Sequence, residues 1–181
     1  MMNKENLQLM STMLGEVIDG TWSGTPVAHK INFGPVKLFP ERVESFNLES
    51  WVDQTECGYS ACAVGHACYD RRFQALGLAF NPAMDVPVLI TKSMAIEGYM
   101  TKQSTRWDAV SELFGISVET GKTLFLDDYY SGYVRYGVSP KRVKARVEEL
   151  LLIGEDALKA KYPPIDPESE LSRERPETND E

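Results

Sequence analysis

Apolar residues recur at helical spacing near the start of the chain. Between residues 4 and 18 they fall on one face of a helix, because positions three and four apart lie on the same side of a helix. Gly20 follows, and glycine is common just after a helix end. The pattern therefore predicts a helix over residues 4–18, with the inward residues Leu7, Met10, Leu14, Val17 and Ile18.

Two later segments combine the same apolar pattern with helix start and stop signals. Ser104 or Thr105 can cap a helix that ends at Gly115, and Ser117 can cap a shorter helix that runs through Phe125. Serine and threonine suit these positions because their side-chain oxygens accept a backbone N–H that has no partner within the helix. We expect both helices to pack against the core.

The segment after position 138 has the clearest helix start. Ser139 is a good cap, and Pro140 suits the first helical position, where its missing N–H would be unpaired anyway. The helix is predicted to end at Gly154 or to continue to Lys161. Its apolar stripe consists of Val143, Val147, Leu150 and Leu151.

Residues 60–76 predict a central helix. Ser60 can cap it, and Gly77 suits its end. Its apolar residues lie on roughly one side and are mostly small: Ala61, Val64, Ala67, Cys68 and Leu76. A helix with such a surface allows neighbouring helices to approach closely.

The remaining stretches carry weaker signals. Glycines and prolines predict loops or short strands over residues 20–45, with a brief strand at 36–39. Residues 46–51 predict a helical turn or an extended segment. Within residues 86–90, Pro87 lacks the N–H that a strand ladder needs, which limits this segment to an edge strand or a loop.

A further helix is expected near residues 92–100. Together the patterns predict a mainly α fold, namely a small single helical domain over residues 1–162 with a possible short β-hairpin. The alternative fold class is α+β. The two prolines at 163 and 164 end the globular part.

Charge is concentrated in the C-terminal segment. Seven acidic and two basic residues between 163 and 181 contribute −5 of the formal net charge of −8. This composition predicts a disordered acidic tail. The mildly acidic body argues against binding of the nucleic-acid backbone. A local basic patch is the alternative for five clustered residues that we expect on a solvated helix face: Arg135, Lys141, Arg142, Lys144 and Arg146.

The chain shows no pattern for export or membrane insertion. No apolar run approaches the roughly 20 residues that span a bilayer. The first residues do not form the apolar run and cleavage site of a signal peptide. We therefore expect a cytoplasmic protein without membrane association, whose three cysteines are reduced thiols.

Residues 57–68 contain all three cysteines and one of the two histidines. On a helix, Cys62, His66 and Asp70 share a face at spacings of four, and Cys57 could fold back toward them. These four residues define a zinc site as one alternative, although structural zinc sites usually combine two close pairs of ligands.

A second alternative is a thiol enzyme. A cysteine at a helix start has a lowered pKa, and Cys57 or Cys62 could be so placed. The sequence around Gln54 and Cys57 resembles papain-like proteases in part. It departs from them because no histidine follows His66. The third interpretation is structural, with the cysteines acting as small apolar side chains in a closely packed core.

The cysteine segment also carries a resemblance. Residues 57–67 read CGYSACAVGHA and follow FNLESW at 46–51. They resemble a group of uncharacterised bacterial and phage proteins with a C-G-x-x-A-C-x-x-G-[WH]-A segment. Residues 109–125 and 138–154 resemble later blocks of that group in the same order. Tyr59 departs from its usual Thr. The resemblance implies a small, mostly helical, cytosolic protein of prokaryotic or viral origin and implies no activity.

The acidic and aromatic stretch after position 126 is the second candidate site. Tyr129, Tyr130, Tyr133 and Arg135 suit a surface that recognises a partner, since aromatic residues and arginine dominate binding hot spots. The alternative is a loop packed into the core.

No complete catalytic constellation is evident in the sequence. The first hypothesis is a non-catalytic accessory protein of phage or mobile-element type that binds a host or viral protein. The alternatives are a zinc- or thiol-dependent enzyme centred on the cysteine segment and a component of virions or their assembly.

Overall fold

A computed structural model describes residues 1–24, 45–48, 50–55, 58–81, 84–90, 104–130 and 138–163. The fold is mainly α, as predicted. The helices in these ranges are α1 (Lys4–Ile18), α2 (Ala63–Cys68), α3 (Arg71–Ala75), α4 (Arg106–Phe114), α5 (Val118–Phe125), α6 (Pro140–Ile153) and α7 (Glu155–Lys161).

Within the described ranges, six short strands form two three-stranded sheets. The first sheet has the order β1-β3-β2, with β1 parallel and β2 antiparallel to β3. The second is antiparallel and has the order β4-β5-β6. The strands are β1 (Ser45–Phe46), β2 (Val52–Thr55), β3 (Gly58–Ala61), β4 (Leu78–Asn81), β5 (Val86–Leu89) and β6 (Ser104–Thr105).

Helices α1 and α6 form the main helical pair. Ser11 of α1 donates a hydrogen bond to Glu148 of α6 at 2.8 Å, and the next turn of α1 meets Lys144. Residue numbers therefore rise in α1 as they fall in α6, so the two helices run antiparallel. Their apolar faces meet the aromatic centre of the core, where Phe114 lies 6.2 Å from Phe73 between ring centroids.

The start of α1 is fixed to the end of α4. Asn3 caps α1 by accepting the N–H of Asn6, and its own N–H donates to the carbonyl of Phe114 at 2.7 Å. Gly115 ends α4 at φ +59°, where any Cβ would lie 2.3 Å from the carbonyl oxygen of Met1. A side chain at 115 would therefore separate the two helices.

Several predicted helices are confirmed. The predicted bounds of the first helix match α1, and Ser117 caps α5 by accepting the N–H of Thr120 at 3.1 Å. Pro140 occupies the start of α6. Both alternatives for its end hold in part, because Gly154 closes α6 at φ +79° and α7 then continues to Lys161.

The single helix predicted over residues 60–76 is wrong. Residues up to Ala61 belong to β3, and Cys62 rather than Ser60 caps α2. Asp70 then interrupts the helical segment, so that α2 and α3 are separate helices. Asp70 does so because its carboxylate accepts the N–H of Arg72 and thereby starts a new helix.

Pro87 lies in the central strand of the second sheet, although the sequence placed it on an edge or in a loop. The N–H of Ile90 donates to the carbonyl of Gly77. Along a strand, alternate residues point their N–H groups to the same neighbouring strand. The N–H of Ile90 points to the β4 side, so the backbone nitrogen at position 87, three residues away, points to the β6 side. Since β6 pairs only with Val88 and Leu89, no ladder bond is lost at the proline.

The strand predicted at 36–39, the helix predicted at 92–100 and the acidic tail after Pro163 lie outside the described residues.

Candidate functional site

Cys62 lies at the junction between β3 and α2. Its thiol sulfur accepts the N–H of Gly65 at 3.3 Å, and its own N–H donates to the carbonyl of Trp51 at 3.2 Å. A Cβ at Gly65 would come within 1.8 Å of that same carbonyl oxygen. Glycine is therefore required here for the strand and the helix to approach each other.

The thiols of Cys62 and Cys68 are buried and protonated at neutral pH. Burial raises the pKa of Cys62 to about 11, and it also raises the pKa of Cys68. The Cys68 thiol contacts the carbonyl of Ala79 at 3.5 Å. Both side chains pack as small apolar groups, which is the structural interpretation of the cysteine segment.

His66 is a buried, neutral imidazole. Burial lowers its pKa to about 4. Its Nδ1 lies 3.0 Å from the carbonyl oxygen of Cys62. Its ring stacks against Trp22 and Phe46, with centroid distances of 4.9 Å and 5.6 Å. In this setting the imidazole supports the packing between β1, α2 and the segment that follows α1.

The predicted zinc ligands Cys62, His66 and Asp70 do not share one helix face, because α2 ends before Asp70. Among the described residues, no three His, Cys, Asp or Glu side chains are grouped so that they could hold a metal ion. Cys57, the fourth predicted ligand, lies outside these residues, and zinc binding stays a prediction.

Asp70 belongs instead to a charged network that joins α1 and α3. Arg72 donates two hydrogen bonds to Glu16, at 2.8 and 2.6 Å, and two from its guanidinium to Asp70, at 2.9 and 2.6 Å. Trp22 donates its indole N–H to Asp70 at 3.2 Å. Burial opposes ionisation of Asp70, but these donors outweigh it and hold its pKa below the usual range.

A polar cavity of about 430 Å³ opens over this network. Its charged lining residues are Glu16, Asp70, Arg71 and Arg72, and Trp22 forms part of its wall. This site was not predicted from the sequence, because Trp22 and Asp70 are 48 positions apart and no local pattern links them.

The second candidate site is corrected. Tyr129 and Tyr130 are buried, with 8% and 1% of their surface exposed, so they belong to the core rather than to a recognition surface. Tyr130 donates its hydroxyl to the carbonyl of Leu124 at 2.6 Å. Tyr133 and Arg135 lie outside the described residues.

Arg146 was expected on a solvated helix face, but it is itself buried, and it packs against Tyr130. It is only 7% exposed, and its guanidinium donates to the carbonyls of Thr123 and Tyr129 at 2.8 and 2.9 Å. The same group lies between the rings of Tyr130 and Tyr162. Arg146 follows Val143 of the apolar stripe by three residues, and this helical spacing was the sequence signal that could have predicted its burial.

The fold and site thus define a mainly α protein with a polar cavity beside a buried histidine. Comparisons of the chain with protein-family models, with curated proteins and with solved structures found no match. Within the ranges that the structure describes, no helix has the length and apolar character needed to cross a membrane.

Proposed function

We propose that this chain is a non-catalytic accessory protein that binds a protein partner of host or viral origin. The supporting observation is an exposed apolar pair at the end of α6. Leu152 is 84% exposed and its neighbour Ile153 is 41% exposed. Apolar residues exposed together on a surface are typical of binding sites, whereas single ones are common everywhere.

The exposure follows from four successive apolar residues, 150–153, in one helix. Leu150 is fully buried and Leu151 packs partly against the core. Because successive helical residues are separated by about 100°, α6 cannot bury all four against one core. A partner with an apolar recess would cover the outer two.

The charged residues near this pair are of both signs. Glu148 and Asp156, which lie four residues to either side of Leu152 in the sequence, are 46% and 103% exposed, and they form ion pairs with Lys144 and Lys159. Complementary charge at the rim of an interface speeds association and selects the partner. The paired charges at this rim favour a partner whose own margin carries charges of both signs.

The state of the cysteine segment supports a binding role over thiol catalysis. A catalytic thiol needs a lowered pKa and access to substrate. Cys62 and Cys68 are buried, and their pKa values are raised by that burial. The zinc- or thiol-dependent enzyme therefore draws no support from the described residues, and it stays the alternative that includes Cys57.

A cross-linking experiment tests the proposal. A photoreactive side chain at position 152 is used to capture partners from bacterial lysate, with and without phage infection. We expect a protein that is captured from position 152 and not from Met84, an exposed apolar residue elsewhere in the fold that serves as the control. Binding of that purified protein should then be lost in Leu152→Glu and kept in Met84→Glu.

Equal binding by the wild-type protein and both variants would contradict the proposal. Capture of a particle protein would identify the chain as a virion or assembly component that uses the same surface.

A further inference from the structure

The polar cavity between α1 and α3 is separate from the Leu152–Ile153 surface in sequence and in its lining residues. Its volume of about 430 Å³ is sufficient for a small molecule of the size of an amino acid or dipeptide. It is lined by the last turn of α1, the residues that follow that helix and the start of α3.

The floor of the cavity is a network that is satisfied internally. Each carboxylate oxygen of Asp70 accepts two hydrogen bonds, from Arg72 at both oxygens and from Trp22 at one. Only 4% of the Asp70 side chain is exposed. Asp70 therefore has little capacity left for a ligand, and its role is to hold Arg72 and Trp22 in place.

Two charged groups of the lining keep capacity for a ligand. Glu16 receives one N–H of Arg72 at each oxygen and is 34% exposed, which leaves further acceptor sites on the carboxylate. Arg71 is exposed, and its guanidinium has no hydrogen-bond or ion-pair partner among the described residues. An acceptor with remaining lone pairs, Glu16, and an uncommitted donor of opposite charge, Arg71, thus border the same cavity.

From this arrangement we infer that the cavity binds a small zwitterion, a free amino acid. Its carboxylate pairs with Arg71, its ammonium group pairs with Glu16, and its side chain lies along Trp22. The formal charges support this choice. Among the lining residues, Glu16 and Asp70 carry two negative charges, and Arg71 and Arg72 carry two positive charges. A ligand that carries both signs and no net charge leaves this balance unchanged.

Binding is tested with the full chain by observing the indole N–H resonance of Trp22. The probes are the standard amino acids, one at a time, at up to roughly 10 mM. Acetate and methylammonium supply the two charges separately. We expect at least one amino acid to shift the Trp22 resonance with saturation, and neither single-charge probe to do so over the same range.

Arg71→Ala is the decisive variant, because the side chain is exposed and its removal leaves the network on the cavity floor in place. A charge-assisted pair that is lost should weaken binding by at least about tenfold. Arg71→Lys should recover part of that loss. The matched control is Arg106→Ala, since Arg106 is also an exposed arginine at the first position of a helix. The affinity of this variant for the amino acid should equal that of the wild-type protein.

Three results would overturn the inference: no amino acid that binds, acetate that binds as tightly as the best amino acid, or an affinity that Arg71→Ala leaves unchanged. Thermal melting of each variant shows that it is folded. Since the Leu152–Ile153 surface is not involved, loss of the protein partner in Leu152→Glu should leave amino-acid binding intact.

Discussion

The guanidinium carbon of Arg146 lies 3.5 Å from the ring centroid of Tyr130. Tyr162 covers the group from another side at 4.0 Å, and two carbonyl oxygens accept its N–H groups. Burial lowers the pKa of Arg146, yet arginine keeps its charge in proteins. A single charged side chain thus connects α5, α6, the turn at residues 127–129 and the end of α7.

Replacement of this arginine should cost much of the stability of the protein. Arg146→Met removes two hydrogen bonds to buried carbonyls and two cation–π contacts, and we expect a loss of about 3 kcal/mol in the free energy of unfolding. Urea unfolding followed by circular dichroism measures it. Lys141→Met, at an exposed position near the start of the same helix, is the control and should cost less than about 1 kcal/mol.

Arg146→Lys should not restore the loss, since an ammonium group cannot stack between two rings and reach both carbonyls. If Arg146→Met were no less stable than Lys141→Met, the network would have no role in stability.

Two glycine-to-alanine substitutions should have opposite effects. In Gly65→Ala the new Cβ would overlap the carbonyl oxygen of Trp51, so the strand and helix must separate, and we expect destabilisation of about 3 kcal/mol or failure to fold. In Gly15→Ala, the nearest atom is Lys144 Cε at 3.5 Å, an ordinary contact. Alanine is the better helix former, and α1 should gain about 0.5–1 kcal/mol.

Thermal denaturation of both proteins compares them directly. Equal melting temperatures for the two variants would contradict the close approach at residue 65.

His66 should make stability depend on pH. The unfolded chain binds a proton at this residue near pH 6.5, whereas the folded protein does so only at about pH 4. The contribution of neutral His66 to the free energy of unfolding is therefore complete above pH 6.5. It is lost as the pH falls toward 4, and the total loss is about 3 kcal/mol. Urea titrations at several pH values measure this slope.

His66→Gln should remove the slope between pH 6.5 and about 5, whatever its effect on absolute stability. Carboxylates with a lowered pKa, such as Asp70, contribute only at lower pH, near and below about 4. An unchanged slope in His66→Gln would show that the imidazole is accessible to protons in the folded state.

The buried thiols should be unreactive in the native protein. At pH 8, Cys62 and Cys68 are protonated and covered, so a thiol reagent should modify neither until denaturant is added. Cys62→Ser and Cys68→Ser should each leave the native thiol count unchanged and lower the denatured count by one. Loss of a native-state thiol in Cys62→Ser would favour the thiol-enzyme alternative.

The helices with a long apolar stripe were predictable from sequence. In α1 and α6 the helical period is clear over three to four turns, and residues such as Ser117 and Pro140 mark the ends of helices. These signals are local, since they depend on neighbours one turn away. Such elements therefore keep their predicted bounds once they pack in the core.

The cysteine segment was not predictable in the same way. Its small residues pack well in either a strand or a helix, so the pattern cannot separate β3 from α2. The Asp70 cap is a local contact, but Trp22 and Glu16, which hold its carboxylate and Arg72 in place, are far away along the chain. The site is formed by tertiary contacts that no short window contains.

The left-handed backbone at Gly154 turns the chain so that α7 folds back and Tyr162 reaches Arg146 and the carboxylate of Glu149. Proteolytic cleavage between residues 154 and 162 would remove one aromatic cover from a buried cation and admit water to it. The final helix thus acts as a closing segment of the core, and positions 146 and 162 should change together when related chains diverge.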